Sequence, residues 1–518
     1  SRLSIGRFVD QEAIHRRRWM ILGIMSLSLV ITLLNNVTVN VALPELSKEL
    51  EADNTELQWI MDAYVIVFGG LLLVMGAFGD RYGRKHALMV GLAIVGLVSA
   101  FTAQYATTSE QVIGARALMG LGAALVMPAT LSVIVVVFPP EERGKAVGIW
   151  VGMAGIGAPI GLLVGGWAVE NFDWRAVFWI NPPIIALAMV LSILLVPNSK
   201  DDAGSPMDPV GGALSVGALG FVLFAIIEGP SLGWASTEVL ALGAMGVVLS
   251  FLFVWWERKA EYPMLPIVFF HNRGFTLGLV AISLAFFVMF SFMFTQMLHF
   301  QLVRERSALE AALRFLPLPL GLMPSAANSD RLCERFGSNN VVSFGLAVIG
   351  SAMLIFTTVG VGTPYWTLAL IFFLIGIGMG LTMAPSTTMV MDSIPHDKAG
   401  VGSATNDASR EVGGAFGIAI VGSAVNEIYQ SEMVVPGGLE AQSALISGSF
   451  PAAIRIGNEL LAQGNIIGNE LIVNAQYAFV EGMTGAAAIS ALVAFVNAIL
   501  VKLYMPRGVV PDSEEVLA

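Results

Sequence analysis

The chain has 518 residues, of which 56% are hydrophobic and only 13% charged. A water-soluble protein of this size carries about 25% charged residues, so the composition points to a polytopic membrane protein and not to a string of globular domains. The formal net charge of −11 marks no basic partner, because much of the acid falls in loops and the C-terminal tail, and the single cysteine, Cys333, excludes an internal disulfide.

Windows of about 20 residues find about 14 apolar spans. The first six cover residues 19–41, 57–78, 87–103, 110–137, 146–169 and 175–196. A polar stretch follows, then spans at 210–227 and 237–256. Six more begin near residues 275, 309, 341, 365, 399 and 475. Arg16-Arg17-Arg18 leads straight into the first span, so no cleavable leader is expected. Most Lys and Arg fall in the tails and in one set of loops. Only Lys48, Arg175, Arg304, Arg306 and Arg455 fall on the other side, with Arg116, Arg314 and Arg410 inside spans. By the positive-inside rule both termini are expected in the cytoplasm. The long loop 426–474 is polar, and its 441–462 segment has the composition of amphipathic helices lying over the outer mouth.

Between the second and third spans lies a short charged turn, Gly76-Ala77-Phe78-Gly79-Asp80-Arg81-Tyr82-Gly83-Arg84-Lys85. Its glycines let two helix ends approach closely, and Asp80 can pair with an arginine across the gap. Asp330-Arg331-Leu332-Cys333-Glu334-Arg335-Phe336-Gly337 is a degenerate copy between the tenth and eleventh spans. A repeat at matching places implies two parallel six-helix halves.

The turn resembles the G-x-L-x-D-R-x-G-R-K signature of the major facilitator superfamily, with Phe78 at the Leu position. The count of six, two and six spans resembles its fourteen-span drug:proton antiporter branch. The implied fold is an all-α polytopic membrane protein: a bundle at 19–196, two inserted helices at 210–256, and a second bundle at 275–504 that carries loop 426–474. The expected gating set is Gly79, Asp80, Arg81, Gly83 and Arg84, with Asp330 and Arg331 in the second copy.

Further stretches carry the same resemblance. Leu34-Asn35-Asn36-Val37-Thr38-Val39-Asn40-Val41-Ala42-Leu43-Pro44 resembles L-D-x-T-x-V-N-V-A-L-P, with Asn35 at the family's Asp. Asn carries no proton, so any coupling role there is lost or moved. Arg116 sits in Arg116-Ala117-Leu118-Met119-Gly120, similar to R-x-x-Q-G with Met119 at the Gln. A buried Arg needs a carboxylate or helix carbonyls. Asp62 lies within the first two turns of the second span, and a carboxylate enclosed in a bundle is costly when ionised, as a proton carrier must be. The plain alternative is a solvated acid at headgroup level. Asp62 and Arg116 lie at similar depths and are expected to face each other as the proton switch. Glu228 ends the seventh span, either as a coupling acid or as an interfacial one.

Gly157, Gly161 and Gly165 repeat at four-residue spacing in the fifth span, as a close-packing, bendable face requires. The stretch resembles the branch's gate motif G-x-x-x-G-P-x-x-G-G: Gly161, Gly165 and Gly166 match, while Leu162 stands at the motif's Pro and the proline lies three residues earlier, at Pro159. Asp407 and Arg410, at i and i+3, can pair on one face as a gate lock near the cytoplasmic end. Met289, Phe290, Met293, Phe294 and Met297 in the ninth span are the expected substrate cavity, since Met and Phe adapt to varied ligands. Each is equally readable as lipid-facing filler.

There is no Walker loop, no catalytic triad and no metal-spaced His or Cys, so no enzyme, cofactor or metal is expected. The reading is a proton-driven exporter of amphipathic small molecules in the cell inner membrane. Protons and membrane lipids are its partners, nucleic acid is not, and it is expected to act as a monomer. A lipid or lysolipid translocator of the same fold is the alternative, and a non-transporting receptor or scaffold the second.

Overall fold

The computed structural model describes residues 2–50, 52, 54–200 and 207–507. Every element in them is helical. The first bundle comprises α1 (Arg2–Glu49), α2 (Asn54–Tyr82), α3 (Arg84–Tyr105), α4 (Ser109–Val137), α5 (Pro140–Asn171) and α6 (Asn181–Leu195), with a short turn at Ala176–Trp179 before α6. The inserted pair is α7 (Pro209–Leu232) and α8 (Thr237–Glu257). The second bundle comprises α9 (Arg273–Leu298), α10 (Pro317–Phe336), α11 (Ser338–Phe356), α12 (Tyr365–Asp392), α13 (Ala399–Glu432) and α14 (Ile467–Tyr504).

Helix starts follow local chemistry. The Thr108, Asp208, Ser236 and Asn272 side chains each accept a backbone N–H from the first turn that follows, which satisfies donors left free at a helix N-terminus. Thirteen helices among the described residues are long and apolar enough to cross a membrane. The expected span near residue 309 is the exception. It is a short helix, Ala308–Arg314, followed by α10, which starts at Pro317 because proline has no N–H for the ladder. Pro319, Pro324, Asn328 and Asp330 make α10 the least apolar of the set, yet it packs between α5 and α12 and completes the second bundle.

The most buried helix of each half is its fourth, α4 and α12. The two halves meet along α2 with α13 and α5 with α10. The inserted pair packs on that seam through α7, which touches α2 and α13. α8 lies outside it and exposes Phe251, Leu252 and Trp255, as a lipid-facing helix does.

The repeat is visible in the backbone. Gly83 and Gly337 both take positive φ, 111° and 85°, where a side chain would be strained. The next residue is tied in the same way in each half. Arg84 N–H donates to Ser199 O (2.9 Å), beyond the sixth helix, and Ser338 N–H donates to Arg507 O (2.9 Å), beyond the last.

The long loop does fold into helices, Ser443–Gly448 and Phe450–Ala462. They pack on the second half: Phe450 stacks on Phe479 at 4.1 Å, and Tyr429 Oη donates to Ile446 O at 2.9 Å.

Candidate functional site

The face carrying the Asp80 turn, called here the basic face, is closed by contacts between halves. Asp80 sits at the start of α13 and accepts from Gly400 N (2.7 Å) and Val401 N (3.0 Å). An acid there also meets the positive end of the helix dipole. Arg84 donates to the same carboxylate through Nε (3.0 Å) and Nη2 (2.7 Å), and from Nη2 to His396 O at 2.7 Å. Both side chains are buried. Gly76 and Gly400 let α2 and α13 touch, since a Cβ on either would strike the other's carbonyl. Gly79 lies against Ala87 of α3, and Arg81 is half-buried beside the inserted helix.

The second copy is built differently. Glu334, three residues before Gly337, stands in register with Asp80 and is exposed, as is Arg331. Asp330, one turn earlier, is the residue that faces the other half, against Gly144 in α5. The gate expectation for Arg331 is therefore corrected, because the Gly337 turn fixes a register that points it outward. The ionic contact on this side is Arg143 of α5 with Asp392 of α12.

Between the halves lies a cavity of about 570 Å³. Its wall is mainly apolar and includes Met289, Phe290, Met293 and Phe294 of α9. Met297 does not line it; it packs against the core one turn on. Pro159 of α5 and Ile226 and Ile227 of the inserted α7 also reach the wall. Three charged groups open onto it: Asp62, Arg410 and Glu411.

The expected facing of Asp62 and Arg116 is not what forms. Arg116 is fully buried and donates to Ile60 O (2.9 Å), Asn35 O (3.2 Å) and Asn36 Oδ1 (3.3 Å), with its guanidinium 4.4 Å from the Tyr64 ring centroid. Carbonyls and an aromatic face hold the cation here, the second of the two solutions open to a buried Arg. Asn35 is buried away from the cavity. Its Nδ2 reaches Met119 Sδ at 3.7 Å, and its Oδ1 accepts from Asn181 Nδ2 at 3.0 Å. Asn35 and Met119, two of the residues that depart from the family patterns, thus touch each other.

Asp62 turns instead toward the inserted helix. It lies one turn after Gln58, whose Nε2 donates to Glu228 Oε2 at 3.0 Å.

Asp407 and Arg410 pair at 3.5 Å, both buried. They lie deeper than a lock at the membrane surface, because Arg410 reaches the cavity. Arg410 also stands over Trp150 of α5 (5.1 Å) and Phe286 of α9 (5.6 Å), so one cation bridges the halves. Gly157, Gly161 and Gly165 pack α5 on Leu33, Leu34 and Thr38 of α1, within the first half. The seam between halves is served by Gly148 and Gly152, against Ala326 and Met323. Glu411 was not singled out from the sequence. Its signal was available: an acid inside a span is a functional candidate by default.

The sequence profile of the Major Facilitator Superfamily matches residues 25–418. The multidrug efflux pump LfrA of Mycolicibacterium smegmatis is 30% identical, with 95% of this chain and 97% of that protein covered. The methylenomycin A resistance protein of Streptomyces coelicolor is 32% identical over 76% and 82% of the two chains. The methyl viologen resistance protein SmvA of Salmonella typhimurium is 30% identical over 86% and 90%. Among solved structures, the human organic anion transporter MFSD10 (TETRAN) aligns with a TM-score of 0.57 at 13% identity, covering 93% of this chain and 99% of that one, a likeness of fold. With the signature turn, the paired halves and these matches, the chain belongs to the major facilitator superfamily, in its multidrug-efflux branch.

Proposed function

We propose that this protein is a proton-driven exporter of amphipathic organic cations, working by alternating access in the cell inner membrane. Both termini and the basic face lie in the cytoplasm. One chain holds both halves of the pathway, so a monomer suffices.

The observation that carries this reading is the cavity at the seam. Its volume, about 570 Å³, falls within the range of small-molecule sites, and its Met and Phe wall suits varied apolar bodies. Its charge favours cations: Asp62 and Glu411 face it, while Arg410 is paired with Asp407. The relative named for resistance to methyl viologen, an organic dication, supports the same class. The Asp80–Arg84 contacts hold the cytoplasmic side shut, which assigns this state to the outward-facing part of the cycle.

The test is export of ethidium, an apolar organic cation, from proteoliposomes with an imposed pH difference. The expected result is uphill movement that stops when the gradient is collapsed. Movement at the same rate without a gradient would remove proton coupling from the reading.

A further inference from the structure

We propose that Asn36 of α1 is a specificity-determining residue. Its amide, oriented by Arg116, offers N–H donors to the cavity and selects organic cations that also carry a hydrogen-bond acceptor such as a ketone or ether oxygen. This deepens the function proposed above, since it narrows the substrate class of the same cavity, and it rests on that reading.

The geometry starts behind the cavity wall. Arg116 is fully buried and held at three points: Nε donates to Ile60 O (2.9 Å), Nη1 to Asn35 O (3.2 Å) and Nη2 to Asn36 Oδ1 (3.3 Å). The Tyr64 ring lies 4.4 Å from the guanidinium, and Tyr64 Oη is itself tied to Thr32 O at 3.3 Å. The cation therefore has no room to swing. A guanidinium only donates, so it meets the oxygen of the Asn36 amide and never the nitrogen. The bond is charge-assisted, which holds the amide in that sense. Asn36 is half-buried and lines the cavity. With Oδ1 turned back to Arg116, the nitrogen end faces the lumen. Nδ2 has no partner among the described residues, and it carries two N–H donors for a ligand oxygen.

The other polar groups on the wall do not duplicate this. Asn40, one turn along α1, is exposed with no bond to fix its amide, so it can turn either end to a ligand. Asp62 and Glu411 only accept when ionised. Arg410 donates, but it is paired with Asp407 at 3.5 Å, and its charge repels a cationic ligand. Asn36 is thus the neutral donor already fixed in direction, and a ligand loses no free energy in ordering it. The Met and Phe wall contributed by α9 covers the apolar body, and Asn36 reads the oxygen that the body carries.

Two cations of one skeleton test this. They are 1-phenacylquinolinium and 1-(2-phenylethyl)quinolinium, which has CH2 where the first has C=O. Each is titrated against ethidium bound to purified full-length protein, and displacement is followed by fluorescence. The parent is expected to bind the ketone about two- to tenfold more tightly, the worth of one neutral hydrogen bond. Asn36→Leu keeps the size, removes the donors and brings the ratio to about one. Asn36→Asp keeps the oxygen that Arg116 requires, and with it the fold, but has no N–H. Its added charge acts on both cations alike, so its ratio also falls to about one. A merely structural role would change both affinities together and leave the parent's ratio in place. A parent ratio of about one, or a parent-like ratio in both variants, overturns the role of Asn36 while ethidium binding stands. Failure of the parent to bind ethidium or either cation overturns the cation-cavity reading itself, and the role of Asn36 with it.

Discussion

The two copies of the repeated turn solve one problem with different parts. Gly83 and Gly337 take the same backbone form, and the residue after each is tied to the chain beyond its own bundle. After Gly83 comes Arg84, which charges the lock from within its own helix pair. After Gly337 comes Ser338, and the cation on that side is Arg143, supplied by the opposite half. The first lock is buried, with both residues under 5% exposed, while the second is partly open. The fold's pseudo-symmetry thus places an acid against the partner half twice, and burial decides how much each contact is worth.

Substitutions that remove one partner at a time break this comparison. Asp80→Asn should have the largest effect. The amide has one acceptor where the carboxylate serves two backbone N–H groups and Arg84, and Arg84 is left buried without a counter-charge. The closed state should lose about 3–5 kcal/mol, and ethidium export should fall by at least about tenfold, since tenfold corresponds to about 1.4 kcal/mol. Parent-like export in Asp80→Asn would reduce the turn to a topology signal. Asp392→Asn should be milder, about 1–3 kcal/mol for a charged hydrogen bond, with export reduced several-fold. A loss as large as that of Asp80→Asn would make the two locks equal. Asp330→Asn should cost less than about 1 kcal/mol, because the carboxyl is half-buried and Arg143 bonds Asp392 instead. Export and melting temperature within error of the parent are expected there, and a strong defect would move the second lock to Asp330.

Much of the fold was legible along the chain because a membrane makes hydropathy decisive. Spans, the repeat and the inserted pair follow from runs of apolar residues and two glycine turns. The span near residue 309 was displaced to Pro317, since windowed hydropathy does not register a lost N–H. Within the site, Asp80 and Arg84 were readable from their spacing, and Met289 and Phe290 from residue type. Met297 was not excluded by either, because one helical turn separates cavity wall from core. The Asp62–Arg116 expectation failed for a related reason. Depth along two helices was right, but the direction each side chain takes depends on which neighbours surround it.

The sequence by itself determined that this chain crosses the membrane many times, in two related halves with a glycine-and-charge turn between the second and third helices. Those features are local: a 20-residue apolar run, a glycine at positive φ and an acid near an arginine are set by neighbours in the chain. The tertiary structure decided which charges meet. Asp80 reaches the start of α13 across about 320 residues of sequence, Arg143 reaches Asp392 across the seam, and Gln58 finds Glu228 on a helix outside either bundle. Such pairs follow from helix rotation and packing at the seam, and no periodicity in the chain encodes them, because side chains at equal depth differ in partner with a turn of about 100° per residue.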